Sequence, residues 1–234
     1  MRLRAELLPR EGLTFPDLVL VVDVIRATTT AVAFLEAGAR EVWFAPNHDA
    51  ARALKERGFF VAGESRGLRP PGFDLGNSPF EALSAPVAGR RVVMSTTNGT
   101  RAAHLAAKSA KRLALMSLWN RSAAAAWAAA HAKEEIAYLA AGKEGGFGLD
   151  DAFTIGAGLE KLSGSADDGA LAARAIYERL DPLEALSRSA AARALVEVGL
   201  GEDVRAVVEL DRSDLVPVLD RVEEPYLVFR RSEA

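Results

Sequence analysis

Hydroxyl, amide and glycine residues follow an apolar segment at residues 92–100, which reads Val-Val-Met-Ser-Thr-Thr-Asn-Gly-Thr. This order predicts a buried strand that runs into a turn and then into an Ala-rich helix. Backbone N–H groups converge at such a turn, and the helix dipole favours negative charge there. The side-chain donors of this turn are Ser95, Thr96, Thr97, Asn98 and Thr100. The segment predicts an oxyanion site, and a helix cap with a tight turn is the alternative that these residues leave open.

The same order of strand, polar turn and helix occurs twice more. Residues 18–23 form an apolar segment that ends at Asp23, and residues 136–141 form another that leads into a Gly-rich turn. The polar residues that follow are Arg26, Thr28 and Thr29 in the first case, and Lys143, Glu144, Asp150 and Asp151 in the second. Ligands of open α/β sheets bind outside the carboxyl ends of strands. Carboxylates beside basic and N–H groups suit a divalent cation that bridges to a phosphate.

Two features of these turns lead to expectations about single residues. We expect Gly99 to supply a backbone conformation that other residues reach poorly, which lets an anion approach the main chain. Asp150 and Asp151 are adjacent, and neighbouring side chains on a helix point about 100° apart. We therefore expect that the two do not both face one site, and that one of them caps the helix.

Alternating strand and helix signals indicate which elements position the turns. The predicted strands are residues 2–8, 18–23, 41–45, 59–63, 91–95, 112–117 and 135–140, and the predicted helices are 27–37, 48–57, 99–110, 121–132, 150–162, 168–178 and 182–198. The strands are short and almost continuously apolar, as in sheets covered on both faces. This pattern predicts an α/β fold, a three-layer α/β/α sandwich with a mixed, largely parallel sheet.

The last part of the chain is harder to interpret. Residues 226–229 predict a final strand, whereas residues 204–210 and 215–219 are compatible with strand or helix. Antiparallel strands at the edges of the sheet would fit this pattern. Residues 64–79 form a long loop rich in Gly and Pro, and a loop of this length inside a compact domain is usually functional or disordered.

The composition of the 234 residues excludes several classes of protein. The absence of cysteine rules out disulfides, thiolate catalysis and Cys-ligated zinc. The net charge of −3, without a basic run, argues against nucleic-acid binding. The apolar runs are too short to span a membrane, and the first residues lack the apolar core of a signal peptide. We expect a cytoplasmic protein with a single domain over residues 1–234, compatible with a homodimer.

Several known phosphate-handling motifs are absent from the sequence. Asp23-Val24-Ile25 lacks the second acidic residue of the Asp-x-Asp pattern of haloacid-dehalogenase-type phosphatases. The turn at residues 95–100 lacks the Gly-x-x-x-x-Gly-Lys spacing of a nucleotide P-loop. The candidate site therefore belongs to neither class.

Five motifs nevertheless occur in a recognisable order. They are Val-Asp-Val-Ile-Arg-Ala-Thr-Thr at 22–29, Gly-Glu at 63–64, Gly-Phe-Asp-Leu-Gly-Asn-Ser-Pro at 72–79, Ser-Thr-Thr-Asn-Gly-Thr at 95–100 and Ala-Gly-Lys-Glu-Gly at 141–145. Together they resemble the 2-phosphosulfolactate phosphatase family, from residue 18 to about residue 219. The resemblance implies a magnesium-dependent acid phosphatase with an α/β/α fold. The implied reaction hydrolyses (2R)-phospho-3-sulfolactate to 3-sulfolactate and phosphate, a step of coenzyme M biosynthesis.

The resemblance also implies roles for individual residues. The implied catalytic residues are Asp23, Arg26 and Glu64, and the implied ligands of Mg²⁺ are Asp23, Asp74 and Glu144. The residues expected to bind the small anionic phosphorylated substrate are Thr28, Thr29, Arg66, Ser95, Thr96, Thr97, Asn98, Gly99, Thr100 and Lys143. Arginine and lysine suit a substrate that carries phosphate, carboxylate and sulfonate groups. Structural roles remain as alternatives, namely helix capping for Asp23, Asn77 and Ser78 and a solvated turn position for Glu144.

The sequence leaves two mechanisms and two other functions open. Either Asp23 attacks phosphorus to form an acyl phosphate, or a metal-activated water attacks in line. The fold is also compatible with a phosphatase for another small phosphorylated hydroxy acid. A non-catalytic binder of an anionic metabolite is the alternative from a different class. The carboxylates argue against such a binder, because they repel an anion unless a metal neutralises them.

Overall fold

Ten strands form one mixed sheet in the structure, a computed structural model that describes residues 1–232. The strands are β1 (Arg2–Glu6), β2 (Leu18–Val22), β3 (Glu41–Phe44), β4 (Phe60–Gly63), β5 (Arg91–Ser95), β6 (Arg112–Met116), β7 (Glu135–Ala140), β8 (Ser165–Ala166), β9 (Pro217–Glu223) and β10 (Tyr226–Arg231). The first seven lie where the apolar segments predict them.

The helices connect the strands in the alternating order that the sequence predicts. They are α1 (Ala27–Glu36), α2 (His48–Ala53), α3 (Pro79–Leu83), α4 (Gly99–Ala107), α5 (Arg121–His131), α6 (Leu149–Leu159), α7 (Asp168–Arg179), α8 (Pro182–Ser187), α9 (Ala190–Glu197) and α10 (Glu202–Ala206). The short helix α3 was not predicted, and α10 overlaps residues 204–210, which were compatible with strand or helix. Within residues 1–232, no helix is long and apolar enough to cross a bilayer.

The order of the strands corrects one expectation. They lie in the order β4-β5-β3-β10-β9-β6-β2-β7-β1-β8. Strands β4, β5 and β3 form one parallel group, and β6, β2, β7, β1 and β8 form another. The antiparallel hairpin of β9 and β10 lies between the two groups, so the expectation of antiparallel edges is wrong. Leu227, Val228 and Phe229 are buried, which suits a central strand covered on both faces.

Helices cover both faces of the sheet, which confirms the predicted α/β/α sandwich with a largely parallel sheet. Alternate residues of β2 belong to different hydrophobic clusters because successive side chains of a strand point to opposite faces. Val19 and Val21 pack in a cluster with α1 and α4. Leu18 and Leu20 pack in a second cluster with α5, α6 and α7. The sheet is therefore a rigid platform whose strand ends carry the polar turns.

A third hydrophobic cluster joins helices α8, α9 and α10 to α6. It contains Leu186, Leu195 and Val204, which pack with Phe153 of α6. The sequence predicts one continuous helix over residues 182–198, whereas the structure divides it. Ser189 is the reason, because its hydroxyl accepts from the backbone N–H of Ala192 at 3.0 Å and caps the start of α9. The division lets the segment wrap around one end of the molecule.

Candidate active site

The polar turns after four strands meet at one small cavity, which we call the inner cavity. Its volume is about 40 Å³. The turns follow β2, β4, β5 and β7, and the start of α6 completes them. The polar side chains that line it are Asp23, Arg26, Glu64, Asn77, Thr97, Asn98, Lys143, Asp150 and Asp151, and α9 adds Ala191, Ala194 and Leu195. The structure therefore brings together residues from all three predicted polar turns.

Asp23 lies at the centre of these turns and packs directly against Gly99. Its side chain is buried, and Oδ1 accepts from the backbone N–H of Ala27 at 3.3 Å. A methyl group added at Gly99 would lie 2.5 Å from Oδ2 of Asp23 and 2.5 Å from Cβ of Ala27. Gly99 is thus required by close approach rather than by the special backbone conformation that we expected. It lets α4 begin in contact with the carboxylate.

Asp150 and Asp151 both line the inner cavity, so the expectation that they do not both face one site is wrong. Oδ1 of Asp151 accepts from the N–H of Val24 at 3.0 Å, and Oδ2 accepts from the N–H of Gly142 at 2.8 Å. Asp151 thereby ties the ends of β2 and β7 together. Neither residue caps the helix, because α6 begins after Gly148. Both side chains reach the same cavity because polar loops surround the first turn of α6 on more than one side.

The inner cavity concentrates negative charge. Burial, followed by the charge of Glu64, raises the pKa of Asp23 to about 7. Burial also raises the pKa of Asp150 to about 6. For Asp151, burial and then the charges of Asp150 and Asp23 raise the pKa well above its usual 3.8. These carboxylates destabilise one another when all are ionised, so a cation among them would be stabilising.

The side-chain carboxylate of Glu64 connects two loops. Its Oε1 accepts from the backbone N–H of Thr97 at 2.6 Å, and its Oε2 accepts from the backbone N–H of Gly67 at 2.7 Å. One of the N–H groups that the sequence assigns to a phosphate is therefore occupied by a carboxylate. The contact shows that the turn after β5 does attract an anionic group.

Only part of the predicted oxyanion turn faces the inner cavity. Thr97 and Asn98 line it, and Oδ1 of Asn98 accepts from the N–H of Glu144 at 3.1 Å. Thr96 and Thr100 are buried and bond to each other, since each backbone N–H donates to the other hydroxyl at 3.1–3.3 Å. Ser95 is also buried and does not line the cavity. These three residues are buried beneath the cavity lining and support the conformation of the turn.

Thr28 and Thr29 have the same structural role after β2. Both are fully buried in the first turn of α1. Their hydroxyls donate to backbone oxygens, Thr28 to Asp23 at 2.8 Å and Thr29 to Val24 at 2.9 Å. The structure therefore places them beneath the turn and outside the lining of the inner cavity.

The guanidinium of Arg26 lies between a buried carboxylate and a loop. Its Nη1 donates to Oδ2 of Asp203 in α10, and its Nη2 donates to the backbone oxygen of Gly67 at 2.8 Å. The other oxygen of Asp203 accepts from the hydroxyl of Ser78 at 2.6 Å. Much of the positive charge of Arg26 is thus compensated within the protein. Lys143 also lines the cavity, and its partner Glu144, at 3.8 Å, is exposed.

Three further predicted site residues, Arg66, Asp74 and Glu144, also lie outside the inner cavity. Oδ1 of Asp74 pairs with Nζ of Lys55 at 2.6 Å, and its Oδ2 accepts from the N–H of Val61 at 2.9 Å. Arg66 and Glu144 are exposed at loop tips with φ of 52° and 53°. The structure does not bring these side chains together with Asp23, and Asp150 and Asp151 occupy the positions that we expected Asp74 and Glu144 to fill.

The donor set of the inner cavity fits Mg²⁺. Among residues 1–232, no three acidic or histidine side chains converge on one metal-sized point. Magnesium does not require such a cage, because it keeps several waters and binds through one or two carboxylates plus phosphate oxygens. Both oxygens of Glu64 and of Asp151 already accept backbone N–H groups. Asp23 and Asp150 are the remaining carboxylates of the lining and could hold such an ion.

The sequence predicts no role for Asp203 or for the wall formed by α9, and it leaves capping and function both open for Asn77. Asp203 is 177 residues from Arg26, so no local spacing connects the two. Ala191, Ala194 and Leu195 give an ordinary amphipathic helix pattern. Only Asn77 carried a usable signal, because it stands inside one of the five motifs.

Comparison with known proteins identifies the family of the chain. A model of the 2-phosphosulpholactate phosphatase family matches residues 3–221. A relative from Thermus thermophilus is 56% identical over 99% of this chain and 100% of its own length. Relatives from Deinococcus radiodurans and Gloeobacter violaceus are 47% and 35% identical, over 94% and 86% of this chain and 93% and 88% of their own lengths. All three are named "Probable 2-phosphosulfolactate phosphatase". The chain belongs to the 2-phosphosulfolactate phosphatase family.

Proposed function

We propose that this protein is a magnesium-dependent phosphatase that hydrolyses (2R)-phospho-3-sulfolactate to 3-sulfolactate and phosphate, as in coenzyme M biosynthesis. Family membership and the names of the relatives support the reaction. The observation that carries the proposal is the inner cavity, where carboxylates from β2, β4 and α6 face Lys143 and the turn after β5. This set combines groups for a divalent cation with groups for an oxyanion.

The charge balance of the cavity supports a bound cation. Asp23, Glu64, Asp150 and Asp151 line it, whereas the charge of Arg26 is paired with Asp203. A strongly anionic substrate would be repelled by this lining. Mg²⁺, when bound, supplies the positive charge that offsets this repulsion and polarises a phosphoryl oxygen or a water. Asp23 and Asp150 would hold it.

The remaining residues of the cavity bind and orient the phosphoryl group. Lys143 and the amide of Asn98 line the inner cavity and can donate to phosphoryl oxygens as negative charge develops on them. Glu64 holds the loop that carries Gly67 against Thr97, which keeps the turn that carries Asn98 in place. Asp23 is either the nucleophile or a residue that orients the attacking group, and a trapped acyl phosphate on Asp23 distinguishes the two.

The proposal is tested by measuring phosphate release from 2-phosphosulfolactate and from other 2-phospho-hydroxy acids. Activity is expected to disappear in excess chelator and to return with Mg²⁺. Full activity in excess chelator would contradict the metal dependence. Faster turnover of a different phospho-acid would assign another substrate to the same site. Tight anion binding without magnesium and without phosphate release would identify a binding protein instead.

A further inference from the structure

Asn77 is a polar residue whose burial is not explained by the hydrogen bonds of its side chain. It is 3% exposed, and within residues 1–232 its Oδ1 has no hydrogen-bond partner. The backbone oxygen of Asn77 accepts from the hydroxyl of Thr30 at 2.9 Å, so the main chain is fixed while the amide is not used. The capping role is taken by Ser78, whose hydroxyl accepts from the N–H of Glu81. A buried amide without a partner is unfavourable, which points to a ligand that satisfies it.

Asn77 stands between two cavities. The inner cavity lies on one side, and a second cavity of about 330 Å³, which we call the outer cavity, lies on the other. Arg26, Gly67 and Asn77 line both. The outer cavity is completed by Leu68, Arg69, Gly76, Ser78, Glu81 and Leu200. The two cavities therefore adjoin at these three residues, and Asn77 belongs to the wall of both.

The inner cavity is much smaller than the outer cavity. Its volume is about 40 Å³, against about 330 Å³ for the outer cavity. The phosphoryl group belongs in the smaller space, beside Lys143 and Asn98, and the outer cavity is the adjoining space for the rest of the substrate.

Arg69 gives the outer cavity a positive charge. Its Nη1 donates to the backbone oxygen of Asp74 at 3.3 Å, a neutral acceptor, and the side chain is exposed at the rim. A guanidinium with free donors is well suited to a sulfonate or carboxylate. Glu81 also lines the outer cavity, on the exposed side of α3, and opposes an anion there.

We propose that the outer cavity binds the non-reacting anionic end of the substrate. The phosphoryl group occupies the inner cavity, the sulfonate lies beside Arg69, and the amide of Asn77 contacts the ligand between them. An asparagine amide provides both donor and acceptor, and a half-turn of the side chain presents Nδ2 to a ligand oxygen. This proposal rests on the proposed phosphatase function and adds the residues that select the substrate.

The first experiment compares two substrates in one variant. Arg69→Ala is expected to raise KM for 2-phosphosulfolactate by about tenfold, about 1.4 kcal/mol, with little change in kcat. KM for 2-phospholactate, which lacks the sulfonate, is expected to stay unchanged. Arg57→Ala, at an exposed arginine outside both cavities, is the matched control. Glu81→Gln is expected to change KM for 2-phosphosulfolactate in the opposite direction. Equal effects of Arg69→Ala on both substrates, or none, would overturn the proposal.

The second experiment does not depend on turnover. Calorimetry with 3-sulfolactate, which lacks the phosphoryl group, is expected to show binding to the wild-type protein and about tenfold weaker binding to Arg69→Ala and Asn77→Ala. The melting temperature of ligand-free Asn77→Ala is expected not to fall, because an unpartnered group has been removed. Equal affinity in wild type and Arg69→Ala, or no binding to wild type, would contradict the outer-cavity proposal. Absence of hydrolysis with intact 3-sulfolactate binding would contradict the phosphatase function alone.

Discussion

The guanidinium of Arg26 and the carboxylate of Asp203 form a buried ion pair that joins the turn after β2 to helix α10. Both side chains are less than a tenth exposed, at 3% and 7%. The pair fixes the position of an arginine in the inner cavity through a helix that belongs to neither the sheet nor the polar turns. The stability of the fold and the position of Arg26 in the inner cavity therefore depend on the same ion pair.

Removal of one partner of this pair is expected to destabilise the fold. Asp203→Ala leaves the charge of Arg26 buried without compensation, which costs roughly 3–5 kcal/mol of unfolding free energy. Chemical denaturation measures this loss. The double variant with Arg26→Leu and Asp203→Leu is expected to recover most of it, since neither charge of the pair remains buried without its partner. Asp214→Ala, at an exposed aspartate, serves as the control. A loss equal to that of the control would show that the pair contributes nothing.

Asp23 is expected to be essential for turnover but not for folding. Asp23→Asn should lower kcat by at least about three decades, on the order of 4 kcal/mol. The melting temperature of the metal-free protein should not fall, because one of several mutually repelling carboxylates is removed. A loss of activity below about tenfold would assign Asp23 to a capping role.

Asp74→Asn provides the matched comparison for the same substitution. Its contacts with Lys55 and Val61 lie outside the inner cavity. We expect kcat within about twofold of wild type and a stability loss of about 1–2 kcal/mol. A large loss of turnover with intact stability would return Asp74 to the metal site that the sequence predicted.

Asn98 and Asn47 test whether the turn after β5 binds phosphate or only begins a helix. Asn98 precedes α4 without a side-chain cap bond and lines the inner cavity. Asn98→Ala is expected to lose roughly 2–4 kcal/mol of transition-state stabilisation, with little change in melting temperature. Asn47 caps α2 by accepting from Ala50 at 2.9 Å. Asn47→Ala should lose about 1 kcal/mol of stability and keep its turnover. Normal turnover of Asn98→Ala with lowered stability would contradict the phosphate-site interpretation.

The stability of the metal-free protein is expected to fall as pH rises. The pKa of Asp23 is raised from 3.8 to about 7 in the folded protein, and that of Asp150 to about 6. Above about pH 4 the unfolded chain releases these protons while the folded protein retains them, so stability declines up to about pH 7. Urea denaturation across this range measures the decline. Asp23→Asn should reduce the slope, and Mg²⁺ should raise stability most at the upper end. A pH-independent unfolding free energy in the metal-free protein would contradict this account.

The sequence predicted the strands and the turn positions because both depend on local pattern. The apolar segment at residues 18–22 forms a strand that buries both faces, and the residue after it begins the site. Asp23, Asn98 and Lys143 were predicted in this way, whereas Glu64 was assigned from the family resemblance. Thr28 and Thr100 were assigned to the substrate because a hydroxyl in a turn bonds equally well to a backbone oxygen, and only the fold decides between the two.

The parts that were missed depend on contacts between distant segments. Asp203 meets Arg26 and Ser78 only because α10 packs beside α3. The position of β9 and β10 in the sheet is likewise set by pairing with β3 and β6, far earlier in the chain. Asp150 and Asp151 were misjudged because the helical angle between them says nothing about how two loops wrap around a helix end.

The central hairpin has a consequence for synthesis of the chain. Strands β1 to β7 all precede β9 and β10, so a ribosome delivers both parallel groups before the strands that join them. Until then β3 and β6 each present an open edge, and such edges template pairing with other chains. Pairings of such long sequence separation form slowly. During synthesis the chain therefore passes through a stage in which two separate parallel sheets have unpaired edges. Binding by a chaperone at that stage would protect it most from aggregation.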